Sequence, residues 1–356
     1  MSYVVPNGGF FLRYSIYLNS SKFIMPTEIK KVVVTKFGGP EVLEIVNATL
    51  PDPPPDHVQV KILYSGFAGA DLNMRLGRYP MQKKAPLTPG YCFVGTVYTN
   101  GANCSRFKVG DRVACLTVYD SEATYINQPE KFLVPIPDGV DAKVATALVL
   151  DWNTAYGMVQ GRDWNGKRVF IHGMSGAVGY ALTTLCKLQG AEVYGTASAR
   201  NHEALKKLGV TPFVYTDKNW ITAMKALGGV HGVFDALGFE IWDESYSILS
   251  EEKSILFAYG MNQDTLNNGE TRGTLWPILK LLSQNLKFWS NKSTTFYYIS
   301  RTRSSFRPSL EKLFSMVLDG TVTIPIKQEF ALDDIRSVHE NWTRLTGMGS
   351  VVIKVA

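Results

Sequence analysis

The strongest chemical signal in the sequence is a glycine-rich turn near the middle of the chain. Residues 169–179 read VFIHGMSGAVG, a hydrophobic segment followed by glycines and then by residues that suit a helix. Glycine lets a backbone pass close to a pyrophosphate, and a helix N-terminus presents unpaired N–H groups with a partial positive charge. The pattern predicts a dinucleotide-binding turn, although such a junction can also serve only for tight packing. The predicted contacts are Ser175, Gly176, Ala177, Val178 and Gly179.

The segment after the next predicted strand indicates which dinucleotide would bind. Residues 194–201 read YGTASARN and contain no acid. Sites that prefer NAD usually place Asp or Glu here for the ribose 2′-hydroxyl, and that acid would repel a 2′-phosphate. Ser198, Arg200 and Asn201 instead offer hydrogen-bond donors and positive charge, which predicts NADPH over NADH. The alternative is that Arg200 only begins a solvated helix.

Composition excludes several other classes of protein. The chain has 356 residues, of which 45% are hydrophobic and 19% are charged, so two folded domains are expected. The net charge of +6 comes from scattered Lys and Arg, so nucleic-acid binding is not indicated. No window approaches the roughly 18 apolar residues of a membrane span. The four cysteines show no paired spacing and are expected to be free thiols of a cytoplasmic protein.

The order of the predicted elements indicates how these residues are positioned. Up to about residue 141, short β-rich segments alternate with Gly- and Pro-rich turns, which is typical of an antiparallel, partly open barrel. From residue 142 onward, strands and helices alternate, which predicts a doubly wound Rossmann sheet. The predicted strands are 31–37, 42–46, 57–67, 90–97, 112–116, 167–172, 192–197, 213–215, 232–236, 254–259 and 350–355. The predicted helices are 142–160, 177–189, 202–208, 220–227, 241–249, 275–284, 308–318 and 332–345.

The last predicted strand has no partner nearby in the sequence and needs a sheet to join. We therefore expect the chain to return to its first domain after the nucleotide-binding domain. The predicted organisation is an N-terminal extension over 1–29, a catalytic domain over 30–150, a Rossmann domain over 151–290 and a return to the catalytic domain over 291–356.

Several motifs resemble the zinc-free, quinone oxidoreductase-like branch of the medium-chain dehydrogenase/reductase superfamily. They are VVVTKFGGPEVL at 32–43, GRYP at 77–80, VGDRV at 109–113, IPDG at 136–139, TAY at 154–156 and the glycine turn. Residues 195–204 are also similar to VAT-1-related proteins and to fungal trans-acting enoyl reductases that serve polyketide synthases. The resemblance implies an α/β protein with a GroES-like, partly open β-barrel catalytic domain, a Rossmann domain, NADPH in the cleft and commonly a homodimer.

The resemblance also implies roles for individual residues. Zinc-dependent relatives bind a catalytic metal at four positions that are here Ala68, Tyr91, Cys92 and Leu150, so no metal site is expected. Ala68 also replaces an Asn that the zinc-free branch usually carries near the nicotinamide. Thr154 matches a position beside the nicotinamide amide. Tyr215, or Thr216 if the alignment shifts by one residue, matches a position against the adenosine phosphate or ring.

Reduction of a carbon–carbon double bond needs a hydride, a polarised carbonyl and a proton source. Without a metal, hydrogen-bond donors must polarise the carbonyl, and Tyr79 and Tyr91 are the candidate catalytic residues. An aromatic cleft is also expected, lined by Tyr79, Tyr91, Tyr119, Trp152, Phe296 and Tyr297.

The expected function is an NADPH-dependent reductase that passes hydride to a quinone or an α,β-unsaturated carbonyl. Secondary metabolism is one expected setting, with a carrier-bound enoyl substrate and a polyketide synthase as partner. The alternative is an NADPH-binding protein without catalysis, with a structural, regulatory or RNA-associated role, and the loss of the family Asn at Ala68 supports it.

Overall fold

The β-rich first third of the chain forms antiparallel strands in the computed structural model, which describes residues 26–267, 270 and 272–356. The strands are β1 (Thr27–Val34), β2 (Leu43–Leu50), β3 (His57–Phe67), β4 (Cys92–Asn100), β5 (Arg112–Leu116), β6 (Tyr125–Pro129) and β7 (Val134–Pro135). β1 and β2 form a two-stranded sheet, whereas β3, β4, β5 and β7 lie in order within a seven-stranded sheet, with β6 against β3. The short helix α1 (Gly69–Arg75) follows β3. The predicted open barrel is confirmed.

The N-terminal boundary differs from the prediction. β1 begins at Thr27, inside the extension predicted to end at residue 29. The rest of that extension, residues 1–25, lies outside the described residues.

A helical segment connects the barrel to the second domain. It consists of α2 (Ala142–Ala147), a π-helical turn over Leu148–Trp152 and α3 (Asn153–Val159), which together match the predicted helix at 142–160. The Asp141 side chain caps α2 by accepting hydrogen bonds from the backbone N–H groups of its first turn. All five residues of the π-helical turn are buried, so the segment runs through the interior.

The predicted alternation of strands and helices forms a six-stranded parallel sheet. Its strands are β8 (Arg168–Ile171), β9 (Glu192–Ala197), β10 (Thr211–Val214), β11 (Gly232–Asp235), β12 (Ser254–Ala258) and β13 (Lys292–Phe296). The helices that follow them are α4 (Ala177–Leu188), α5 (His202–Lys207), α6 (Asn219–Ala226), α7 (Glu240–Ser247), α8 (Gln263–Leu266) and α9 (Leu275–Ser283).

The strand order is β10-β9-β8-β11-β12-β13. This is the order of a Rossmann sheet, which reverses direction between β8 and β11. Ligands bind such sheets at the carboxyl ends of the strands beside this reversal, where the glycine turn after β8 lies. The predicted doubly wound domain is therefore confirmed. Its last strand, β13, was not predicted and lies beyond the boundary placed at residue 290, because its residues KSTTF lack an apolar alternation.

The chain then returns to the barrel. The remaining elements are α10 (Phe306–Leu318), β14 (Ile326–Ala331), α11 (Ile335–Asn341) and β15 (Ser350–Lys354). β15 pairs antiparallel with β3 and parallel with β14, and α10 packs against α3. α11 is shorter than the predicted helix at 332–345, because 3₁₀ turns flank it on both sides. No helix in the described part of the chain is long and apolar enough to cross a membrane.

Candidate functional site

A groove lies at the carboxyl end of β8, between the Rossmann sheet and the returning C-terminal segment. The residues predicted for the cofactor that line it are Ser175, Gly176, Ala177, Val178, Gly179, Ser198, Arg200 and Asn201. No side chain caps the first turn of α4, so its N–H groups are available to an anion in the groove. The turn, the open helix start and the groove together suit a pyrophosphate.

Two glycines of the turn are required by its backbone geometry. Gly173 has a φ of +70°, a left-handed conformation that residues with a Cβ rarely adopt. A Cβ on Gly179 would lie 2.0 Å from the backbone oxygen of Gly173. Gly179 therefore allows α4 to pack closely on the turn, so the packing role and the ligand-binding role of this motif coexist.

Two cations meet at the end of the groove beyond β9. Arg200 and Lys327 both line the groove, and neither is in a salt bridge with a carboxylate of the described residues. Arg200 Nη2 donates a hydrogen bond to the backbone oxygen of Leu345, at 3.3 Å. Burial, and then the nearby Arg200 guanidinium, lower the pKa of the Lys327 ammonium. Two cations held together without an acid are suited to a phosphate.

Lys327 reaches the groove because of an irregularity in β14. Ile326 pairs with Ser350 and Gln328 with Val351, so Lys327 is an extra residue in the parallel register. Such bulges redirect a side chain. Lys327 was not predicted from the sequence because β14 was not predicted.

Tyr215, also predicted for the cofactor, lies just beyond the end of β10. β10 ends at Val214, and the Tyr215 side chain is 59% exposed and does not line the groove. Its contact with the adenosine phosphate or ring stays a prediction.

A second cavity, of about 190 Å³, adjoins the groove. The predicted residues Tyr79, Tyr91 and Thr154 line it, as do Phe296 and Tyr297 from the predicted aromatic set. Two members of that set do not line it. The Tyr119 hydroxyl accepts a hydrogen bond from the Lys83 backbone, and Trp152 is buried in the core.

Three tyrosine hydroxyls form a cluster in this cavity. The Tyr79 and Tyr91 hydroxyl oxygens are 2.5 Å apart, and the Tyr298 oxygen lies 3.2 Å from the first and 3.1 Å from the second. Burial raises the pKa of both Tyr79 and Tyr91 well above the usual value, so both hydroxyls stay protonated at neutral pH. A cluster of protonated hydroxyls can donate hydrogen bonds to a carbonyl oxygen in the cavity.

Buried hydrogen bonds hold the loop that carries Tyr91. The Asp71 carboxylate accepts from the Ala68 backbone N–H at 2.9 Å and from the Gly90 N–H at 3.1 Å. Through these two hydrogen bonds, Asp71 joins the start of α1 to the residue just before Tyr91. Its side chain is fully buried. Its role here is to position the loop.

Asp151 lies where the two cavities meet and was not predicted. It is 5% exposed and lines both the groove and the tyrosine cavity. Ser350 Oγ donates a hydrogen bond to Asp151 Oδ2 at 2.6 Å. Burial raises the pKa of the Asp151 carboxyl to about 7, against the smaller opposing effect of that hydrogen bond. The signal in the sequence was an acid within an otherwise apolar helical segment.

The positions matching the zinc ligands of relatives carry side chains unsuited to the metal. Ala68, Tyr91 and Leu150 line the cavity, and Cys92 is buried with its Sγ 3.8 Å from the Thr146 backbone oxygen. Burial raises the pKa of the Cys92 thiol well above its usual value, which disfavours the thiolate that zinc needs. Among the described residues, no group of three His, Cys, Asp or Glu could hold a metal ion.

Comparisons with known proteins agree with this architecture. Two family models match the chain, the alcohol dehydrogenase GroES-like domain over residues 54–138 and the zinc-binding dehydrogenase domain over residues 177–303. The chain is 24% identical over 344 residues to the human synaptic vesicle membrane protein VAT-1 homolog-like. The match covers 92% of this chain and 81% of that protein. It is 28% identical over 343 residues to a quinone oxidoreductase of Pseudomonas aeruginosa, covering 91% of this chain and 99% of that protein.

The fold is also similar to solved structures. Escherichia coli quinone oxidoreductase, in a crystal structure of its complex with NADPH, superimposes with a TM-score of 0.78 at 22% identity. The match covers 92% of this chain and 100% of that one. At this level of identity, the match shows a shared fold.

Proposed function

Since this chain belongs to the quinone oxidoreductase-like branch of the medium-chain dehydrogenase/reductase superfamily, we propose that it is an NADPH-dependent, zinc-independent reductase of activated double bonds. The observation that carries the proposal is the contact between its two cavities. The groove with the glycine turn and the cavity with the tyrosine hydroxyls share lining residues, among them Asp151, Val178 and Tyr259. A dinucleotide in the groove would therefore end beside the hydroxyl cluster.

NADPH is the proposed cofactor because the groove fits its charges. The open start of α4 suits the pyrophosphate, and the Arg200 and Lys327 cations suit the 2′-phosphate of the adenosine ribose. No residue between 194 and 201 is an acid that would oppose that phosphate. Thr154, which lines the inner cavity, is proposed to contact the nicotinamide amide.

In the proposed mechanism, NADPH supplies a hydride when bound. Tyr79 and Tyr91 donate hydrogen bonds to the carbonyl oxygen of the substrate, which stabilises the negative charge that develops there during reduction. The mostly apolar walls, which include Phe296 and Ile299, limit the water that could compete for these hydroxyls. Without substrate, the Tyr298 hydroxyl oxygen accepts hydrogen bonds from the Tyr79 and Tyr91 hydroxyls. Because each hydroxyl has one hydrogen, both turn from Tyr298 to the carbonyl oxygen when the substrate binds.

The proposed substrates are quinones, enones and enals, or an enoyl thioester on a carrier. Curated relatives named quinone oxidoreductase support the first class. For the carrier-bound class, we propose a polyketide synthase as partner and secondary metabolism as the setting. A substrate panel that includes both free enones and enoyl thioesters separates these classes.

The experiment is to follow the nicotinamide absorbance of NADPH and NADH with the purified protein and each substrate. We expect NADPH oxidation with at least one class. Tyr91→Phe should lower kcat about 100-fold, the typical effect of losing one donor to a developing oxyanion, while NADPH affinity stays unchanged. Tyr125→Phe, on β6 outside both cavities, is the control. NADPH binding without turnover of any substrate would instead favour the non-catalytic structural, regulatory or RNA-associated role.

We also propose that the protein is a cytoplasmic homodimer. β13 is an edge strand of the parallel sheet, and large apolar side chains are exposed on the segment that leads to it. They include Trp276 (75% exposed), Phe288 (91%) and Trp289 (72%). A second copy covering this face would remove them from water. Light scattering after size-exclusion chromatography tests the proposal, and a mass near 39.5 kDa would contradict it.

A further inference from the structure

The carboxylic acid Asp151 lies between the two cavities and has no role in the polarisation of the carbonyl by Tyr79 and Tyr91. Among the described residues that line either cavity, Asp151 is the only Asp or Glu. It lies in the π-helical turn between α2 and α3, and such turns inside helices are frequent at functional sites. The same segment carries Thr154 into the inner cavity.

The surroundings of Asp151 favour the protonated acid. Ser350 from β15 donates its hydroxyl hydrogen to one carboxyl oxygen. The titratable groups that interact with Asp151 are Asp71 of α1, Cys92 of β4 and Tyr259 after β12. Each of these is neutral or negative, so none stabilises the carboxylate. Burial raises the pKa of Asp151 to about 7, so a large fraction of the carboxyl carries its proton at neutral pH.

We propose that Asp151 is the catalytic acid that completes the reduction by donating a proton to the substrate. The inference rests on the proposed reductase function. After hydride addition to the β-carbon of an α,β-unsaturated carbonyl, the substrate is an enolate. The Asp151 O–H bond breaks, the enolate electron pair forms the new C–H bond at the α-carbon, and the carbonyl is restored. The Asp151 carboxylate then regains a proton from the bulk solvent, so the overall reaction consumes one H⁺.

The tyrosines and Asp151 have different tasks in this scheme. A general acid works best when its pKa is near the working pH. Burial raises the pKa of Tyr79 and Tyr91 far above neutrality, so these hydroxyls hold their protons and act as hydrogen-bond donors. Asp151 is the group in the cavity that can both release a proton and recover it at neutral pH.

The test compares Asp151→Asn with the wild type and with Asp52→Asn, an exposed control outside both cavities. Asn keeps the acceptor for Ser350 and removes the proton. We expect kcat to fall at least 100-fold, as for loss of a general acid, while the NADPH dissociation constant measured by nicotinamide fluorescence stays within threefold. Asp52→Asn should match the wild type in both.

Two further measurements do not rely on the turnover of Asp151→Asn. Burial raises the pKa of both Asp71 and Asp151 to about 7, so the γ-carbon resonances of Asp in the cofactor-free wild type should include two that titrate near pH 7. Only one of them should be absent from Asp151→Asn. In Asp151→Ala, added formate should restore part of the turnover, and more of it as the pH falls, because only the protonated form, formic acid, can donate a proton from the space left by the side chain.

The pH dependence of kcat also tests whether Asp151 acts as an acid. Since the acid must be protonated to act, wild-type kcat should be high below about pH 7 and fall above it. An Asp151→Asn enzyme that keeps wild-type kcat would overturn the inference and leave the reductase function standing. So would a loss of NADPH affinity equal to the loss of turnover, which would make Asp151 a cofactor ligand. If the wild type reduces nothing, the proposed function and this inference fail together.

Discussion

Replacing Lys327 with Met tests where the 2′-phosphate of NADPH would lie. Lys327 is half-buried at the bulge of β14 and lines the groove together with Arg200. A hydrogen bond to a charged group contributes about 1.5–3 kcal/mol. If the hydrogen bond between Lys327 and the 2′-phosphate contributes about 2 kcal/mol at this half-exposed site, its loss should raise the dissociation constant of NADPH about 30-fold. NADH has no 2′-phosphate, so its dissociation constant should change less than twofold.

The assay is a titration of cofactor fluorescence on the cofactor-free protein, with Lys312→Met as a matched control. Lys312 is exposed on α10 and does not line the groove. Equal weakening of NADPH and NADH in Lys327→Met would show that the lysine only supports the groove, and an unchanged NADPH affinity would place the phosphate elsewhere. Either result refutes the assignment.

Proton uptake provides an independent check of the same assignment. The pKa of Lys327 lies below its usual value in the free protein, because of burial and of Arg200. A bound phosphate would raise that pKa again. Binding of NADPH at alkaline pH should therefore take up protons, as measured by calorimetry in buffers of different ionisation enthalpy, whereas Lys327→Met should lose this uptake.

Two further predictions concern the scaffold around the site. Gly179→Ala places a Cβ 2.0 Å from the Gly173 oxygen, so it should displace α4 from the turn, lower the melting temperature and abolish NADPH binding; normal binding would show that the turn is less rigid than its packing indicates. Asp71→Asn replaces one acceptor by a donor that faces a buried N–H, which should cost about 1–3 kcal/mol of stability in chemical unfolding. Stability equal to that of Asp52→Asn, an exposed control, would contradict the positioning role.

The fold could be predicted because its signals are local. Strands such as β3 and β5 and the alternation from β8 to β12 were predicted within a few residues, since each has its own apolar pattern and turn residues. β13 and β14 were missed because their side chains alternate poorly and are only partly buried. These strands form by pairing with β12 and β15, so the partner's sequence decides their conformation.

The cofactor groove was more predictable than the catalytic cavity for a related reason. The turn at 175–179 and the segment at 198–201 lie directly after two adjacent strands, so sequence order alone places them at one sheet edge. The tyrosine cluster instead combines loops separated by as many as 219 residues. Tyr79 and Tyr91 could be suggested only by resemblance, and Tyr298, which joins them, could not be chosen from its neighbour Tyr297.

The burial of Asp151 could also be predicted from the sequence. The helix at 142–160 was predicted, and residues 144–150 (VATALVL) are apolar on all sides except at Thr146, which is typical of a buried helix. Burial of an unpaired carboxylate is costly, so the residue either carries a proton or meets a donor. That much follows from the sequence. The cavity that Asp151 faces depends on the π-helical turn, and its donor Ser350 lies 199 residues away on β15, where only the folded chain brings the two together.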